Sequence, residues 1–304
     1  MGMAALQAVG STPLLHLPGL SPPDGGQVWA KWEGANPTGS MKDRMALGMI
    51  EHGESTGALG PGMRVVDFTG GSTGSSLAMV CAAKGLRAHL VTSDAFAIEK
   101  TLTMRALGAT VDVVPSVGGA VTPDLFVRMR ERVDELRAEP GTYWTDQFNN
   151  PGNAHGYRAL GQEILADIDP DAFVMGVGTG GCFSGVAAAL KETRTVRCVA
   201  VEPASSRNLS FGPTGPHRLE GIGTGNDPPA LRRDLIDGIE AVSNEDAYET
   251  AREIARTEGL LCGITSGANV RAAQRVAGSL PAGAVVVTVL VDSGLKYLAG
   301  DLFS

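Results

Sequence analysis

Lys42 stands in the run Asn36-Pro37-Thr38-Gly39-Ser40-Met41-Lys42-Asp43-Arg44, whose residue types point to chemistry at the amine. Pro37 and Gly39 predict a turn, Ser40 a helix cap, and the stretch from Met41 to about His52 a helix, which puts Lys42 in the first helical turn. The helix macrodipole is positive there. The ammonium form is therefore disfavoured, and the neutral amine, a nucleophile able to form a Schiff base with a carbonyl, is favoured. Taken alone, the same residue also reads as a solvated cation beside Asp43.

Three further stretches carry hydroxyls or glycines at the ends of predicted strands. Thr69-Gly70-Gly71-Ser72-Thr73-Gly74 lies between a strand ending at Phe68 and a helix, so its backbone amides converge on a place for an anion or a carboxylate. Gly176-Val177-Gly178-Thr179-Gly180-Gly181 has the same setting and fits the spacing GxGxxG, with Glu202 at the end of the next strand. Two readings are open for it: a single phosphate on the glycine loop, or the pyrophosphate of an NAD-dependent dehydrogenase whose ribose hydroxyls meet Glu202. The second leaves Lys42 and the Thr69 loop without a task. Ser293, in Asp292-Ser293-Gly294 after the last strand, offers a hydroxyl to the same end of the sheet, or simply a turn or cap.

The elements that must hold these residues alternate strand with helix. Strands are predicted at 28–33, 65–68, 88–92 and 111–114, with helices at 74–84, 98–107 and 125–137 between and after them. After Asn149-Asn150-Pro151-Gly152 come a helix to about Asp167, strands at 173–177 and 196–201, helices at 245–258 and 267–276, and a strand at 284–291. This alternation predicts an α/β protein of two lobes, with mostly parallel, twisted sheets covered by helices on both faces. Ligands of such sheets gather at the carboxyl ends of the strands.

Composition narrows the function further. A chain of 304 residues is long enough for two moderate domains. Its 41 glycines are about 13% of the chain against a usual value of about 7%, which predicts tight turns and close backbone approaches to a ligand. The net charge of −8 argues against a nucleic-acid or anionic-membrane partner. Cys81, Cys182, Cys198 and Cys262 show no CxxC spacing, so reduced thiols are expected and no metal site. The N-terminus lacks the pattern of a secretory signal, and no apolar stretch reaches membrane-spanning length, so a cytoplasmic protein is expected.

In order and spacing, these motifs resemble the cysteine synthase (O-acetylserine sulfhydrylase) and cystathionine β-synthase family of pyridoxal-phosphate enzymes. The resemblance rests on Asn36 to Arg44, Thr69 to Gly74, Asp146-Gln147-Phe148-Asn149-Asn150-Pro151-Gly152-Asn153, Gly178 to Gly181, Glu220-Gly221-Ile222-Gly223, Gly263-Ile264-Thr265-Ser266-Gly267-Ala268 and Asp292 to Leu298, which together span almost the whole chain. It implies the tryptophan-synthase-β-like fold (fold type II). The smaller, mobile lobe would be residues 38–147, carrying the substrate-carboxylate loop, and the larger, phosphate-binding lobe residues 1–37 and 148–304. It implies pyridoxal 5'-phosphate (PLP) on Lys42, which also moves the substrate α-proton. Gly178, Thr179, Gly180, Gly181 and Cys182 would cradle the phosphate, Ser293 would meet the pyridine nitrogen, and Ser72 the cofactor's phenolic oxygen. Thr69, Gly70, Gly71, Ser72 and Thr73 with Gln147 would clamp the substrate carboxylate, and Gly221 and Ile222 would line the cleft. The implied reaction is β-replacement on an activated L-serine through an aminoacrylate, by default with sulfide to give L-cysteine, in a homodimer. A different donor or nucleophile, a dehydrogenase, and a ligand-binding regulator without turnover are the alternatives.

The chain departs from the family pattern at three places. The substrate loop usually reads Thr-Ser-Gly-Asn-Thr-Gly, whereas here Gly70 replaces the serine and Ser72 the asparagine. These two changes predict a roomier pocket with a shorter hydrogen-bond donor. Cys182 stands where a phosphate-binding threonine is usual, which shifts the phosphate's hydrogen bonds onto backbone amides.

Overall fold

The computed structural model describes residues 4–119, 121–224 and 227–304. Along the chain the elements are α1 (Ala4–Gln7), β1 (Leu14–His16), β2 (Gln27–Trp32), α2 (Lys42–Ser55), β3 (Arg64–Phe68), α3 (Ser72–Lys84), β4 (Arg87–Ser93), α4 (Ile98–Ala106), β5 (Thr110–Val114), α5 (Pro123–Arg137), β6 (Thr142–Trp144), α6 (Pro151–Asp167), β7 (Ala172–Gly176), α7 (Gly181–Lys191), β8 (Arg197–Pro203), β9 (Gly238–Val242), α8 (Asn244–Thr257), α9 (Ile264–Gly278) and β10 (Val285–Leu290). They form two compact units, Met1–Val9 with Lys42–Gly156, and Gly10–Met41 with Tyr157–Ser304. The chain thus enters the first unit at Lys42 and leaves it within α6. The expected divisions at 37/38 and 147/148 fall four and nine residues before these, and the N-terminal segment belongs with the first unit, where α1 packs on α3.

In the first unit the described strands make a parallel sheet in the order β5-β4-β3-β6. Helix α5 is amphipathic because Leu125, Met129, Val133 and Leu136 recur at helical spacing, and all four are buried against Val66, Phe68 and Val91. Full burial of such a side chain stabilises the unit by about 1.5–3 kcal/mol. Thr122 caps α5 by accepting from the amide of Leu125 at 3.2 Å, and Pro123 opens its first turn, so the helix starts two residues before the predicted Leu125. Val65 and Leu90 project from the other face and are also fully buried, where α3 packs on β3 and β4.

In the second unit the described strands run β1-β2-β10-β7-β8-β9, parallel throughout except for β1, which is antiparallel to β2. The sequence Val-Val-Val-Thr-Val-Leu of β10 is buried beyond its first residue, as a central strand covered on both faces requires. Helix α8 starts at Asn244 because Ser243 caps it, accepting from the amide of Asp246 at 3.0 Å. Ser40, the predicted cap of α2, lies two residues before the helix's first residue, Lys42. It is held in a β-bridge with Asp292, one residue outside the cap position taken by Met41, whose amide donates to the Val291 carbonyl at 2.9 Å.

Candidate active site

In the first unit, the turn from β3 into α3 is built by Thr69. Its hydroxyl oxygen accepts from the amides of Gly71 at 2.8 Å and Gly74 at 3.1 Å, while its carbonyl accepts from Thr92 Oγ1 at 2.9 Å. Thr69 is thus first a builder of the loop, and two of the amides expected to converge on an anion are spent on it. Those of Ser72 and Thr73 open α3, where a helix supplies no acceptors of its own. Gly71 has φ +126°, and a Cβ there would lie 2.3 Å from Cδ of Lys100, so only glycine fits. Gln147 closes the loop from the segment after β6. Its Oε1 accepts from Thr73 Oγ1 at 2.9 Å and its Nε2 donates to the Phe68 carbonyl at 2.9 Å.

The two departures of this loop lie on either side of Gly71, at the entry to α3. A side chain on Gly70 would point at Phe96, whose ring carbons lie 3.3–3.6 Å from the place of its Cβ. A Cβ at Gly70 would touch the ring, so Phe96 bounds the space beside this residue on one side. Ser72 is the first residue of α3.

Lys42 is the first residue of α2 and is partly buried. Asp43 beside it is fully buried.

In the second unit, β7 ends at Gly176 and α7 begins at Gly181, with Val177, Gly178, Thr179 and Gly180 between them. A Cβ on Gly178 would lie 2.0 Å from the carbonyl oxygen of Gly221, and one on Gly176 would lie 2.8 Å from Ile222 Cγ2. Gly180 has φ +83° and turns the chain into the helix. The loop Glu220–Gly223 is fixed beside it. Gly223 donates its amide to the Val177 carbonyl at 3.0 Å, and Thr265 Oγ1 donates to the Glu220 carbonyl. This brings Gly221 and Ile222 against the glycine loop, and it explains Thr265 in the Gly263–Ala268 motif. Thr179 and Cys182 are both buried.

Ser293 follows β10 and donates its amide to the Gly39 carbonyl at 2.9 Å. Its hydroxyl accepts from the amide of Leu295 at 3.3 Å and caps a single turn of 3-10 helix over Gly294–Tyr297, so the cap reading is part of its role. Next to it Asp292 accepts from the Tyr297 phenol at 2.7 Å, and burial drives that phenol well above its ordinary value. Glu202 is not available to a ribose. Its carboxylate accepts from the amide of Leu209 at 2.7 Å and from the Ser210 hydroxyl, holding the chain after β8.

Two residues that the sequence did not single out support these loops. Asn269 on α9 joins two strand ends, accepting from the Gly176 amide at 2.8 Å and donating to the Val289 carbonyl at 2.9 Å. Asp67, at the end of β3, stands fully buried behind Gln147. Cys81, Cys198 and Cys262 are buried thiols pushed up to about 12 by desolvation. Among the described residues no helix is long and apolar enough to cross a membrane.

Residues 5–292 match the family of pyridoxal-phosphate dependent enzymes. The chain belongs to that family. A cysteine synthase of Staphylococcus aureus is 39% identical over 306 residues, covering 98% of this chain and 96% of the relative. The crystal structure of an O-ureido-L-serine synthase superposes with a TM-score of 0.90 at 35% identity, covering 100% of this chain and 95% of the other. That of an O-acetylserine dependent cystathionine β-synthase from Helicobacter pylori superposes with a TM-score of 0.91 at 34% identity, covering 100% and 99%. The fold is that of the type II, tryptophan-synthase-β-like PLP enzymes, and the cofactor is PLP.

Proposed function

We propose that the chain catalyses β-replacement on an O-activated L-serine, with sulfide as the incoming nucleophile and L-cysteine as the product. The observation that carries this reading is the Thr69 loop closed by Gln147, a receiver for an α-carboxylate built into a PLP-family chain. Bound PLP supplies the electron sink that lets the α-proton and the β-substituent depart. Lys42 holds the cofactor through its amine and carries the α-proton once released from it.

The second unit's residues fit the cofactor. A phosphate needs donors without side chains in the way, and the glycine loop before α7 is a place where a Cβ at Gly178 would strike backbone. The amides at the start of α7, an 11-residue helix with no acidic residue in its first turn, attract the phosphate. Thr179 adds a hydroxyl, and Cys182 leaves its share to the backbone. Ser293 presents a neutral hydroxyl to the pyridine nitrogen, which keeps the ring unprotonated and favours elimination and replacement over long-lived carbanions. Ser72 and Thr73, with the second hydrogen on Gln147 Nε2, orient the substrate carboxylate.

A cytoplasmic homodimer is part of the same proposal, since the family pattern implies it. The structures of the O-ureido-L-serine synthase and the cystathionine β-synthase keep a second reading in view, another nucleophile at the same site, and Ser72 in place of asparagine favours it. The test is to offer the PLP-loaded protein O-acetyl-L-serine with sulfide, and then with larger thiols and amines. Cysteine formation at the highest kcat/KM supports the first reading. Faster turnover with a larger nucleophile supports the second.

A further inference from the structure

Asp67 receives four donors on a carboxylate that is fully buried at the end of β3. Its Oδ1 accepts from the amide of Phe68 at 2.8 Å and from the Trp144 indole at 3.2 Å. Its Oδ2 accepts from Thr145 Oγ1 at 2.5 Å and from the amide of Gln147 at 3.3 Å. The two residues of the pair that close the carboxylate loop, the Phe68 carbonyl and the Gln147 side chain, are therefore each tied through their backbone amide to one carboxylate. Asn153 Nδ2 donates to the Gln147 carbonyl at 2.6 Å, so the peptide on either side of Gln147 is held.

From this arrangement we infer that Asp67 is a positioning residue for the amino-acid substrate: it sets the distance between Gln147 and the Thr69–Thr73 loop, and so the geometry in which the α-carboxylate is received. It touches neither substrate nor cofactor, and it acts through Gln147. The inference rests on the proposed role of this loop.

Only an ionised carboxylate can accept from all four donors. An asparagine at this place presents an amide nitrogen to one pair of them, whichever way it lies. The Thr145 hydroxyl can turn away, but the Gln147 amide cannot. Among the described residues no cation is in contact with Asp67. Asp146 adds repulsion, Tyr143 lies on β6, and Arg130 and Arg137 of α5 stack on the Trp144 ring at 4.4 and 4.8 Å. The carboxylate is thus satisfied by hydrogen bonds, which is the arrangement that fixes direction as well as distance.

The experiment compares wild-type holoenzyme with Asp67→Asn, Gln147→Ala and the double variant, reading cofactor occupancy from the visible band, KM for O-acetyl-L-serine, KM for sulfide and kcat. Asp67→Asn is expected to raise KM for the amino acid about tenfold, with cofactor occupancy, KM for sulfide and kcat within twofold of wild type. In the Gln147→Ala background the same substitution is expected to add less than twofold. An unchanged KM in Asp67→Asn, a KM effect that multiplies fully with that of Gln147→Ala, or a loss of cofactor occupancy overturns the inference. If Asp67→Asn does not fold, Thr145→Val carries the test, since it removes a donor from the same oxygen at nearly constant volume. A threefold rise in KM for the amino acid alone supports the inference, and an unchanged KM overturns it. A wild-type protein that holds no PLP, or turns over no serine derivative, counts instead against the proposed function.

Discussion

Gly178→Ala puts one methyl group where the structure has no room for it. Its Cβ would stand 2.0 Å from the carbonyl oxygen of Gly221, in a pair where an ordinary contact needs more than 3.0 Å, so one backbone must retreat by about 1 Å. Neither is free to do so. The glycine loop is tied by Val177, which receives the Gly223 amide at 3.0 Å, and the opposing loop by Thr265 on the Glu220 carbonyl. Overpacking of this kind costs about 1–3 kcal/mol, which is about five- to 150-fold in an equilibrium constant. Because the strain falls on the loop proposed to hold the phosphate, it is expected to show as weaker PLP binding when apo-protein is titrated and followed by the visible band. Gly278→Ala, at the end of α9 in the same unit, is the control, since a Cβ there would meet nothing within 4 Å. PLP affinity within twofold of wild type in Gly178→Ala would refute both the steric argument and the phosphate assignment.

Two further outcomes follow from the first unit. Ser72→Asn is expected to raise the preference for sulfide over a larger thiol by about tenfold or less, the value of about one hydrogen bond, measured as the ratio of kcat/KM for the two nucleophiles. An unchanged ratio removes Ser72 from the account of selectivity. Burial raises the Asp67 carboxyl from 3.8 to about 6. Between these values the folded protein keeps a proton that the unfolded chain has released. Asp67's contribution to stability therefore falls as pH rises from about 4 to about 6 and is level above that, a change on the order of 3 kcal/mol. Urea unfolding of wild type and Asp67→Asn at pH 4 and pH 7 measures it. The wild type should lose stability relative to the variant as pH rises, and a difference that is the same at both pH values contradicts the burial argument.

The alternation that makes the fold was legible because its strands are runs of valine and its helices carry apolar residues at helical spacing, as in β10 and α5. The strands that sequence reasoning missed lack that signal. β1 and β6 have three residues each, and β9 begins with glycine and carries Glu240 in its middle. The glycine and hydroxyl loops were legible because they follow strand ends directly. Their supports were not. Asp67 and Gln147 are 80 residues apart, Gly176 and Asn269 are 93 apart, and no local pattern joins them. Phe96 shows the same limit, since only the folded chain reveals that its ring lies beside Gly70.

The central claim is that Lys42, where the chain enters the first unit, carries the cofactor. Borohydride reduction of the PLP-loaded protein followed by peptide mapping tests it most directly, because reduction fixes the pyridoxyl group on whichever amine holds it. The account predicts a single modified residue, Lys42, and no visible band in Lys42→Ala. Pyridoxyl on any other lysine, such as Lys31, Lys100 or Lys296, or a band that survives Lys42→Ala, would contradict it.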